Sequence, residues 1–507
     1  MTIGVTHGVS LMGLAGTLVQ IEVDISDGLP HYSLLGLPDL ALMESRDRVR
    51  SALVNSQEKW PNKKVTVSLS PAWLPKSGSN FDLPIAVAIL AAQEVIPAKR
   101  LHRAVFYGEL ALDGRIREAR GVLPALISLL HSDVQTVIVP QANAAEAKLV
   151  SGLEIIPMEN ISELLKWLRT GIRVEAEEVI SIEKVIGFKD LSDVAGQPDA
   201  RYALEVAATG GHHILMIGPP GTGKTMLAER LPSLLPELDE KAALEVSAIH
   251  SVAGALKERG LFSKVPPFIS PHHTTTRTAM VGGGSSVIKP GACSLAHNGV
   301  LFIDEAPECV SGVLDALRQP LESGEITITR AIGSATFPAD FILVLAANPC
   351  PCGRLSGRGR GCSCSSLQVR RYLNRLSGPL IDRVDLRIKV EPPSRTAFAS
   401  GEIGESSAVV RERVALARAR AAKRFATLNI SRNAEIPAFA LRNEFKAERA
   451  GMSLLHNEMD RENLTARGFH KTLRLAWSIA DLVEHELPLL EDVKRALALR
   501  DGMELFG

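Results

Sequence analysis

The chain has 507 residues, of which 46% are hydrophobic and 22% are charged, and its 57 basic side chains balance its 57 acidic ones. Zero net charge excludes a general attraction to nucleic acid, so a nucleic-acid site has to be a local patch. We find no secretory leader, no apolar run long enough to span a bilayer, and only 6 cysteines, too few for a disulfide scaffold. We therefore predict a cytoplasmic protein of about three domains with no membrane partner.

Short strand-like and helical stretches alternate through residues 1–171, which we predict to form an α+β domain with its own core. Leu18–Val23 and Lys64–Leu69 alternate apolar and polar residues, as half-buried strands do. Leu83–Ala92 is apolar and rich in alanine, which favours a buried helix. Residues 172–190 carry several charges without a clear period, and we interpret them as a linker.

The remainder of the chain divides into two regions of different periodicity. Residues 191–390 alternate strands with helices, which predicts an α/β core. Residues 391–507 have helical periodicity, most clearly in Ala408–Arg424 and Arg467–Val483, and we predict an all-helical domain there.

A glycine-rich loop follows the first strand of the predicted core. The apolar run Ile214–Ile217 leads into this loop, and Met226–Leu235 after it is predicted to be helical. Strand, loop and helix in this order indicate a phosphate-binding loop for ATP, because glycines let backbone N–H groups surround the phosphates. We expect Lys224 to reach the β- and γ-phosphates and Thr225 to bind Mg²⁺. The predicted ATP-binding residues of the loop are Gly218, Pro219, Pro220, Gly221, Thr222, Gly223, Lys224 and Thr225.

Two further apolar strands end in polar residues suited to ATP hydrolysis. The strand that begins at Gly299 ends at Asp304 and Glu305, and Phe341–Ala347 ends at Asn348. We predict that Asp304 holds Mg²⁺ together with Thr225, and that Glu305 orients or deprotonates the attacking water. Asn348 is predicted to position that water.

Arginines dominate the charge between Asp340 and Asp382, where no acidic residue occurs. Such a cluster would give salt-sensitive binding to phosphates. Aromatic side chains for base stacking are scarce, which favours contact with the nucleic-acid backbone. The alternative is an ordinary solvated loop. The six arginines are Arg354, Arg358, Arg360, Arg370, Arg371 and Arg375, of which we select Arg354, Arg358 and Arg360 as candidate DNA contacts.

Two C-x-C pairs lie inside the same segment. Cys350 and Cys352 are separated by nine residues from Cys362 and Cys364. Four thiolates suit tetrahedral Zn²⁺, so a zinc site is one interpretation, and a flexible loop with reduced thiols is the other.

Several motifs outside the phosphate loop occur in a specific combination. They are Gly28-Leu-Pro, Gly36-Leu-Pro, Glu44–Arg50, Pro271-His-His-Thr274, Gly282–Gly284, Ser294–Glu305, Ala347-Asn-Pro-Cys-Pro-Cys-Gly353 and Ser377–Asp385. Together they cover nearly the whole chain and resemble the magnesium-chelatase-like AAA+ ATPase family, in its ComM/YifB branch.

The resemblance implies a homo-oligomeric ring, a hexamer, with ATP bound between neighbouring subunits. Arg383 matches the arginine finger that reaches the neighbour's γ-phosphate, although an ion pair with Asp382 or Asp385 is the alternative. Arg467 resembles the sensor-2 arginine, and Arg474 is a second choice.

The resemblance also concerns DNA. ComM-type members resemble helicases that drive branch migration, which implies single-stranded or branched DNA as the partner. In related ring helicases a hairpin lines the pore, and Glu325–Phe337 has the alternation of a hairpin that turns near Gly333. Arg330 is therefore a candidate DNA contact. The same resemblance gives His272 and His273 no metal-binding role.

Residues 1–171 resemble the peptidase domain of Lon proteases, a fold like domain 2 of ribosomal protein S5. Pro75–Pro84 and Gly108–Arg115 carry this match. The catalytic serine and lysine of that family fall on Asn80 and Leu123, which cannot act as nucleophile and base. We therefore predict an inactive protease domain that supports oligomerisation or DNA engagement.

Three other functions remain open from the sequence. A magnesium-chelatase motor would serve metal insertion, although we expect chelatase motor subunits to lack the N-terminal domain. A chaperone-like remodeller of proteins is compatible with the neutral charge. An active Lon-like protease is the third, opposed by Asn80 and Leu123.

Overall fold

The structure is a computed structural model that describes residues 3–76, 78–172, 189–284, 287–331, 333–355, 361–392, 404–428 and 430–502. Most of the predicted linker, residues 173–188, lies outside the described residues, as do Arg358 and Arg360. Among the helices of the described ranges, none is long and apolar enough to cross a membrane.

The N-terminal part contains a four-stranded and a three-stranded sheet. Its strands are β1 Gly4–Met12, β2 Ala15–Ser26, β3 His31–Leu35, β4 Lys64–Ser70, β5 Ala104–Phe106, β6 Glu109–Leu110, β7 Ile116–Arg117, β8 Thr136–Pro140 and β9 Glu154–Met158. The larger sheet has the order β1-β2-β4-β3, in which only β3 and β4 are parallel, and the smaller is parallel with the order β5-β8-β9. The two strands predicted within residues 1–171 are confirmed in β2 and β4.

Helices cover these sheets and complete the N-terminal core. They are α1 Leu40–Met43, α2 Ser45–Asn55, α3 Asp82–Ala92, α4 Val122–Leu129, α5 Ala144–Ala147 and α6 Ile161–Thr170. The predicted buried helix is α3, in which every residue from Asp82 to Leu90 is buried. The region is therefore mixed α and β, as predicted.

A five-stranded parallel sheet forms the centre of residues 191–390, with the order β11-β14-β17-β10-β18. The strands of this region are β10 Ile214–Ile217, β11 Phe268–Ile269, β12 Gly282–Gly283, β13 Lys289–Pro290, β14 Gly299–Ile303, β15 Glu325–Arg330, β16 Gly333–Pro338, β17 Phe341–Ala347 and β18 Leu386–Lys389. Because β14, β17 and β10 are adjacent and parallel, the loops at their carboxyl ends meet at one edge of the sheet.

One predicted helix of the core is interrupted. Met226–Leu235 was predicted as a single helix, but α8 Lys224–Ala228 ends before α9 Leu231–Leu234 begins. Pro232 explains the break, because its nitrogen has no hydrogen to donate to the preceding turn. The other core helices are α7 Pro198–Gly210, α10 Glu240–Ala253, α11 Leu256–Arg259, α12 Arg277–Val281, α13 Ala292–Leu295, α14 Pro320–Ser323, α15 Ser366–Leu373 and α16 Gly378–Ile381.

The C-terminal region is helical over its described residues, and both predicted helices are confirmed. The helices are Ser407–Arg424, Ala438–Asn443, Arg449–Asp460, Ala466–Leu482 and Leu490–Asp501. Leu473 and Trp477 belong to the same buried apolar cluster as Met216 and Val344 of the sheet. These helices therefore pack on one face of the ATPase sheet.

The predicted hairpin is present, as strands β15 and β16 paired from Glu325 with Pro338 to Arg330 with Gly333. The turn between β1 and β2 of the N-terminal part packs against it. Met12 and Leu14 contact the apolar cluster that includes Ala335 and Phe337 of β16. The N-terminal part thus completes the apolar side of this hairpin.

Candidate active site

The phosphate loop follows β10 directly. Gly221 and Gly223 have φ angles of +78° and +88°, in the left-handed region that glycine adopts without strain. The Thr222 hydroxyl donates a hydrogen bond of 2.9 Å to the Pro219 carbonyl, which closes the loop on itself. The loop is thus folded around its own backbone, with α8 starting at Lys224.

Gln197 anchors the loop from outside, and sequence reasoning missed it. Its side-chain nitrogen donates hydrogen bonds of 2.8 Å to the carbonyls of Thr222 and Glu391. Gln197 is itself in the left-handed region, with φ at +54°. A lone glutamine before α7 carries no sequence signal of this contact.

Lys224 lies under the loop with 8% of its surface exposed. Its ammonium group donates hydrogen bonds to the carbonyls of Gly218, at 2.6 Å, and Pro219, at 2.9 Å, and to the Asn348 side-chain oxygen, at 3.2 Å. Burial lowers the pKa of Lys224, although Asp304 and Glu305 oppose the shift. The structure therefore brings together the lysine and the asparagine that were predicted from separate motifs.

Thr225 and Asp304 are also adjacent. The Thr225 hydroxyl donates a hydrogen bond of 2.7 Å to Asp304 Oδ2, and the Glu305 N–H donates one of 2.9 Å to Asp304 Oδ1. A hydroxyl beside a carboxylate offers the oxygen ligands that Mg²⁺ takes in nucleotide sites. These two side chains fit the ion that was predicted for them.

Glu305 has a partner that the sequence did not reveal. His273 Nδ1 lies 3.4 Å from Glu305 Oε2. Glu305 also has a φ of +48°, a conformation that side-chain-bearing residues rarely adopt and that is enriched at functional sites. His273 follows β11, which neighbours β14, so only knowledge of the strand order could have placed it here.

Arg383, the predicted arginine finger, and Arg467, the predicted sensor-2 arginine, lie in one charged cluster. Arg383 forms an ion pair with Glu322 and donates a hydrogen bond of 2.7 Å to the Pro379 carbonyl. The alternative for Arg383 was an ion pair with Asp382 or Asp385, and its ion pair is with Glu322 instead. Arg467 instead forms the ion pair with Asp382.

Arg474, the second choice for sensor 2, is occupied elsewhere. Its guanidinium donates hydrogen bonds of 2.9 and 2.6 Å to the Ile436 carbonyl. Burial lowers its pKa. This contact ties Arg474 to the helical region, so Arg467 is the better placed candidate.

Lys471 connects the Arg467 helix, Ala466–Leu482, to the backbone of Arg383. Its ammonium donates 2.6 Å hydrogen bonds to the Arg383 carbonyl and to Asp385 Oδ1. Burial alone would raise the pKa of Asp385, but Lys471 and the hydrogen bond from His212 hold it well below its ordinary value. Sequence reasoning did not single out this buried pair.

The described arginines of the Arg-rich segment differ in whether they pair with an acidic side chain. Arg354, Arg370 and Arg371 are exposed, as is Arg330 at the end of β15. Arg375, which is also exposed, forms a 2.9 Å ion pair with Glu308. The two nearby aromatic rings, of Phe337 and Tyr372, are both buried.

The four cysteines converge. Cys350 Sγ lies 3.4 Å from Cys352 Sγ and 3.7 Å from Cys362 Sγ, and the latter two are also 3.7 Å apart. With Cys364 included, all four sulfur atoms lie within 4.8 Å of one another.

The positions aligned with the Lon serine and lysine hold structural side chains. Asn80 donates a hydrogen bond of 3.1 Å to the Val9 carbonyl, and Leu123 is completely buried. Nearby, Ser79 bonds to Glu109, whereas the Lys76 ammonium donates to the carbonyls of Leu69 and Pro71. The described residues around Asn80 therefore hold no serine paired with a lysine.

Comparisons with known proteins decide the family. Family models described as Subunit ChlI of Mg-chelatase, Magnesium chelatase, subunit ChlI, and Magnesium chelatase, subunit ChlI C-terminal match residues 21–143, 190–398 and 404–500. Competence protein ComM of Haemophilus influenzae is 41% identical over 512 residues, 100% of this chain and 99% of its own. The chain belongs to the ComM/YifB branch of the magnesium-chelatase-like family.

Other members of this family align over similar lengths. YifB of Escherichia coli is 40% identical over 501 residues, 99% of this chain and 97% of its own. An uncharacterized protein of Mycobacterium tuberculosis is 47% identical over 500 residues, 99% of each chain. At the level of the family, the chain is an ATPase motor.

Proposed function

We propose that the chain is an ATP-dependent ring motor that binds single-stranded or branched DNA and drives branch migration. The observation that carries the proposal is the meeting of Lys224, Thr225, Asp304, Glu305 and Asn348 at one edge of a parallel sheet. The proposed cofactors are ATP and Mg²⁺, with a zinc ion at the four cysteines.

Each residue of this edge has a proposed part in hydrolysis. Lys224 binds and neutralises the β- and γ-phosphates, while Thr225 and Asp304 hold Mg²⁺, which balances charge on the transferred phosphoryl group. Glu305 orients the attacking water and accepts its proton, and Asn348 fixes the position of that water. The Lys224 ammonium exchanges its present carbonyl contacts for phosphate oxygens when ATP binds.

Arg383 is proposed to complete the site of a neighbouring subunit, and Arg467 is proposed to be the sensor-2 arginine. Both belong to the cluster around Asp382 and Glu322, and Lys471 fixes the Arg467 helix to the Arg383 carbonyl. We therefore expect the two arginines to act together, the first as the finger and the second as sensor 2. A guanidinium there would stabilise charge that develops during phosphoryl transfer.

Three features support DNA as the partner. One relative carries the name competence protein ComM, the branch whose members resemble helicases. Arg330, Arg354, Arg370 and Arg371 are exposed, and their guanidiniums suit phosphate contacts. The nearby aromatic rings are buried, so the proposed contacts are to the DNA backbone and carry no sequence preference.

The N-terminal part is proposed to be an inactive Lon-type domain. Asn80 and Leu123 cannot supply the nucleophile and base. Its contacts with the hairpin suggest that it supports the motor. The proposed division of the chain remains residues 1–171, 172–190, 191–390 and 391–507.

A chelatase motor is the second candidate, favoured by the names of the family models. The model that matches residues 21–143 also carries a chelatase description. The N-terminal domain therefore does not argue against this candidate, contrary to our expectation from the sequence.

The test is the steady-state ATPase rate of the full chain with and without single-stranded and branched DNA. We expect strong stimulation by DNA, which Glu305→Gln abolishes while ATP still binds. ATP turnover that no DNA alters would reject the DNA motor and favour metal insertion or protein remodelling.

A further inference from the structure

The four cysteines lie beside the phosphate loop, in the segment that follows Asn348. We infer that Cys350, Cys352, Cys362 and Cys364 bind one zinc ion, and that this zinc centre holds the ATP site in its binding shape. The second half of the inference rests on the proposed ATPase function, whereas the metal site itself does not.

The spacing of the sulfur atoms fits a single tetrahedral ion. A zinc–sulfur bond of about 2.3 Å places tetrahedral thiolates about 3.8 Å apart. The Sγ–Sγ separations among Cys350, Cys352 and Cys362 are 3.4, 3.7 and 3.7 Å. A disulfide needs sulfur atoms about 2 Å apart, so these pairs are not disulfides.

The four thiolate ligands also narrow the range of metals that the site could bind. Four thiolates in a tetrahedron favour zinc or an iron–sulfur centre, whereas Mg²⁺ and Ca²⁺ require oxygen. Several irons with inorganic sulfide between them would separate the thiolates, but these sulfur atoms all lie within 4.8 Å of one another. The four thiolates therefore fit one tetrahedral ion, for which zinc is the usual structural metal.

The cysteine segment touches the ATP site at two points. Asn348, two residues before Cys350, accepts the hydrogen bond from Lys224, and Cys350 is completely buried. Gly353 follows Cys352 and lies so close to Pro220 that a Cβ on it would be 2.7 Å from two ring carbons. The segment thus packs directly on the phosphate loop.

Zinc would fix both contacts at once. Four metal bonds would join the two ends of a glycine- and arginine-rich stretch, in whose sequence Leu355 is the one large apolar residue. Without the ion, Asn348 loses its fixed place beside Lys224, and Pro220 loses the packing of Gly353. ATP affinity should therefore depend on zinc, although no cysteine contacts the nucleotide.

The experiment compares full-length wild type with Cys352→Ser/Cys364→Ser, using Cys309→Ser as the matched control outside the cluster. Elemental analysis gives the metal content, and titration with a non-hydrolysable ATP analogue gives the affinity. We expect one zinc per chain in wild type and control, almost none in the double variant, and at least about tenfold weaker binding there. Removal of zinc from wild type with a chelator should weaken binding equally, and added zinc should restore it.

The outcomes separate the two halves of the inference. Absence of zinc from wild type, or iron in its place, overturns the zinc site. Zinc-free protein that binds the analogue as wild type does overturns the link to the ATP site. The Lys224→Ala variant should retain zinc but lose ATP binding. Zinc-bound wild type whose ATPase rate does not respond to DNA would reject only the proposed DNA motor.

Discussion

His273 lies against Glu305, with its Nδ1 atom 3.4 Å from a carboxylate oxygen. The two residues follow neighbouring strands, β11 and β14, so the sheet itself sets their separation. The neighbouring His272 contacts Thr274 instead, at 2.8 Å. One histidine of the pair therefore faces the proposed catalytic carboxylate, and the other does not.

His273→Ala should lower the maximal ATPase rate by roughly tenfold to a hundredfold, because Glu305 loses the contact that orients it. ATP affinity should be unchanged, since Lys224 and Thr225 keep their contacts. Rates from steady-state kinetics and affinities from analogue titration test this. The control is His272→Ala, and equal rates for both variants would show that His273 does not position Glu305.

Arg383→Ala and Lys224→Ala should each abolish ATP turnover, but mixed rings of the two should regain part of it. A mixed ring has some interfaces where an intact loop meets an intact arginine, which is possible only if Arg383 acts on a neighbouring subunit. The measurement is ATPase activity after the two purified variants are mixed and reassembled. A mixture as inactive as its components would contradict action between subunits.

Lys471→Met should destabilise the protein by about 3–5 kcal/mol, because it leaves the buried Asp385 carboxylate without its cation. The exposed Lys494 provides the control, and Lys494→Met should change stability by less than about 0.5 kcal/mol. Urea unfolding followed by circular dichroism measures both. Similar urea midpoints for the two variants would mean that the ion pair of Lys471 with Asp385 contributes nothing to stability.

The ion pair between Lys471 and Asp385 also makes the free energy of unfolding depend on pH. Asp385 has a pKa well below its ordinary value of 3.8 in the folded chain, despite the opposing effect of burial. The contribution of Asp385 to the free energy of unfolding is therefore complete above the ordinary pKa of its side chain. That contribution is lost as the pH falls below this ordinary pKa towards the lower pKa of the folded chain. The stability difference between wild type and Asp385→Asn should shrink as urea unfolding is measured from pH 6 down towards pH 3, and a constant difference would contradict the ion pair.

Arg330→Ala and Arg354→Ala should each weaken DNA binding and flatten its salt dependence. Each lost phosphate contact should reduce the slope of log K against log salt by about 0.7 on single strands and 0.9 on duplex DNA. Arg375→Ala is the control, because Arg375 already pairs with Glu308. Salt-dependence slopes that are the same in all three variants would mean that neither Arg330 of the hairpin nor Arg354 of the arginine-rich loop contacts DNA.

The strands of the ATP site were predictable because each is a short apolar run with a chemically distinctive ending. Asp304, Glu305 and Asn348 stand where buried strands emerge at the surface, so their order alone predicted a shared site. The alternation in β15 and β16 identified the hairpin in the same way.

Residues that act through tertiary contacts were not predictable. His273, Gln197 and Lys471 come from other parts of the chain and have no local motif, so only the folded arrangement brings them to the site. The break at Pro232 shows a different limit, because apolar spacing alone extended the helix through a residue that cannot donate its hydrogen bond.

The packing of Met12 and Leu14 on β16 has a consequence for folding during synthesis and for the behaviour of truncated chains. The hairpin is synthesised long after the turn that covers part of it, so the cluster around Ala335 and Phe337 gains Met12 and Leu14 only when the N-terminal part docks. A truncated chain that starts at residue 191 would keep the packing of Ala335 and Phe337 within their cluster but would lose the contact of Met12 and Leu14 with that cluster. Such a fragment should be prone to self-association, even with every residue of its ATP site intact.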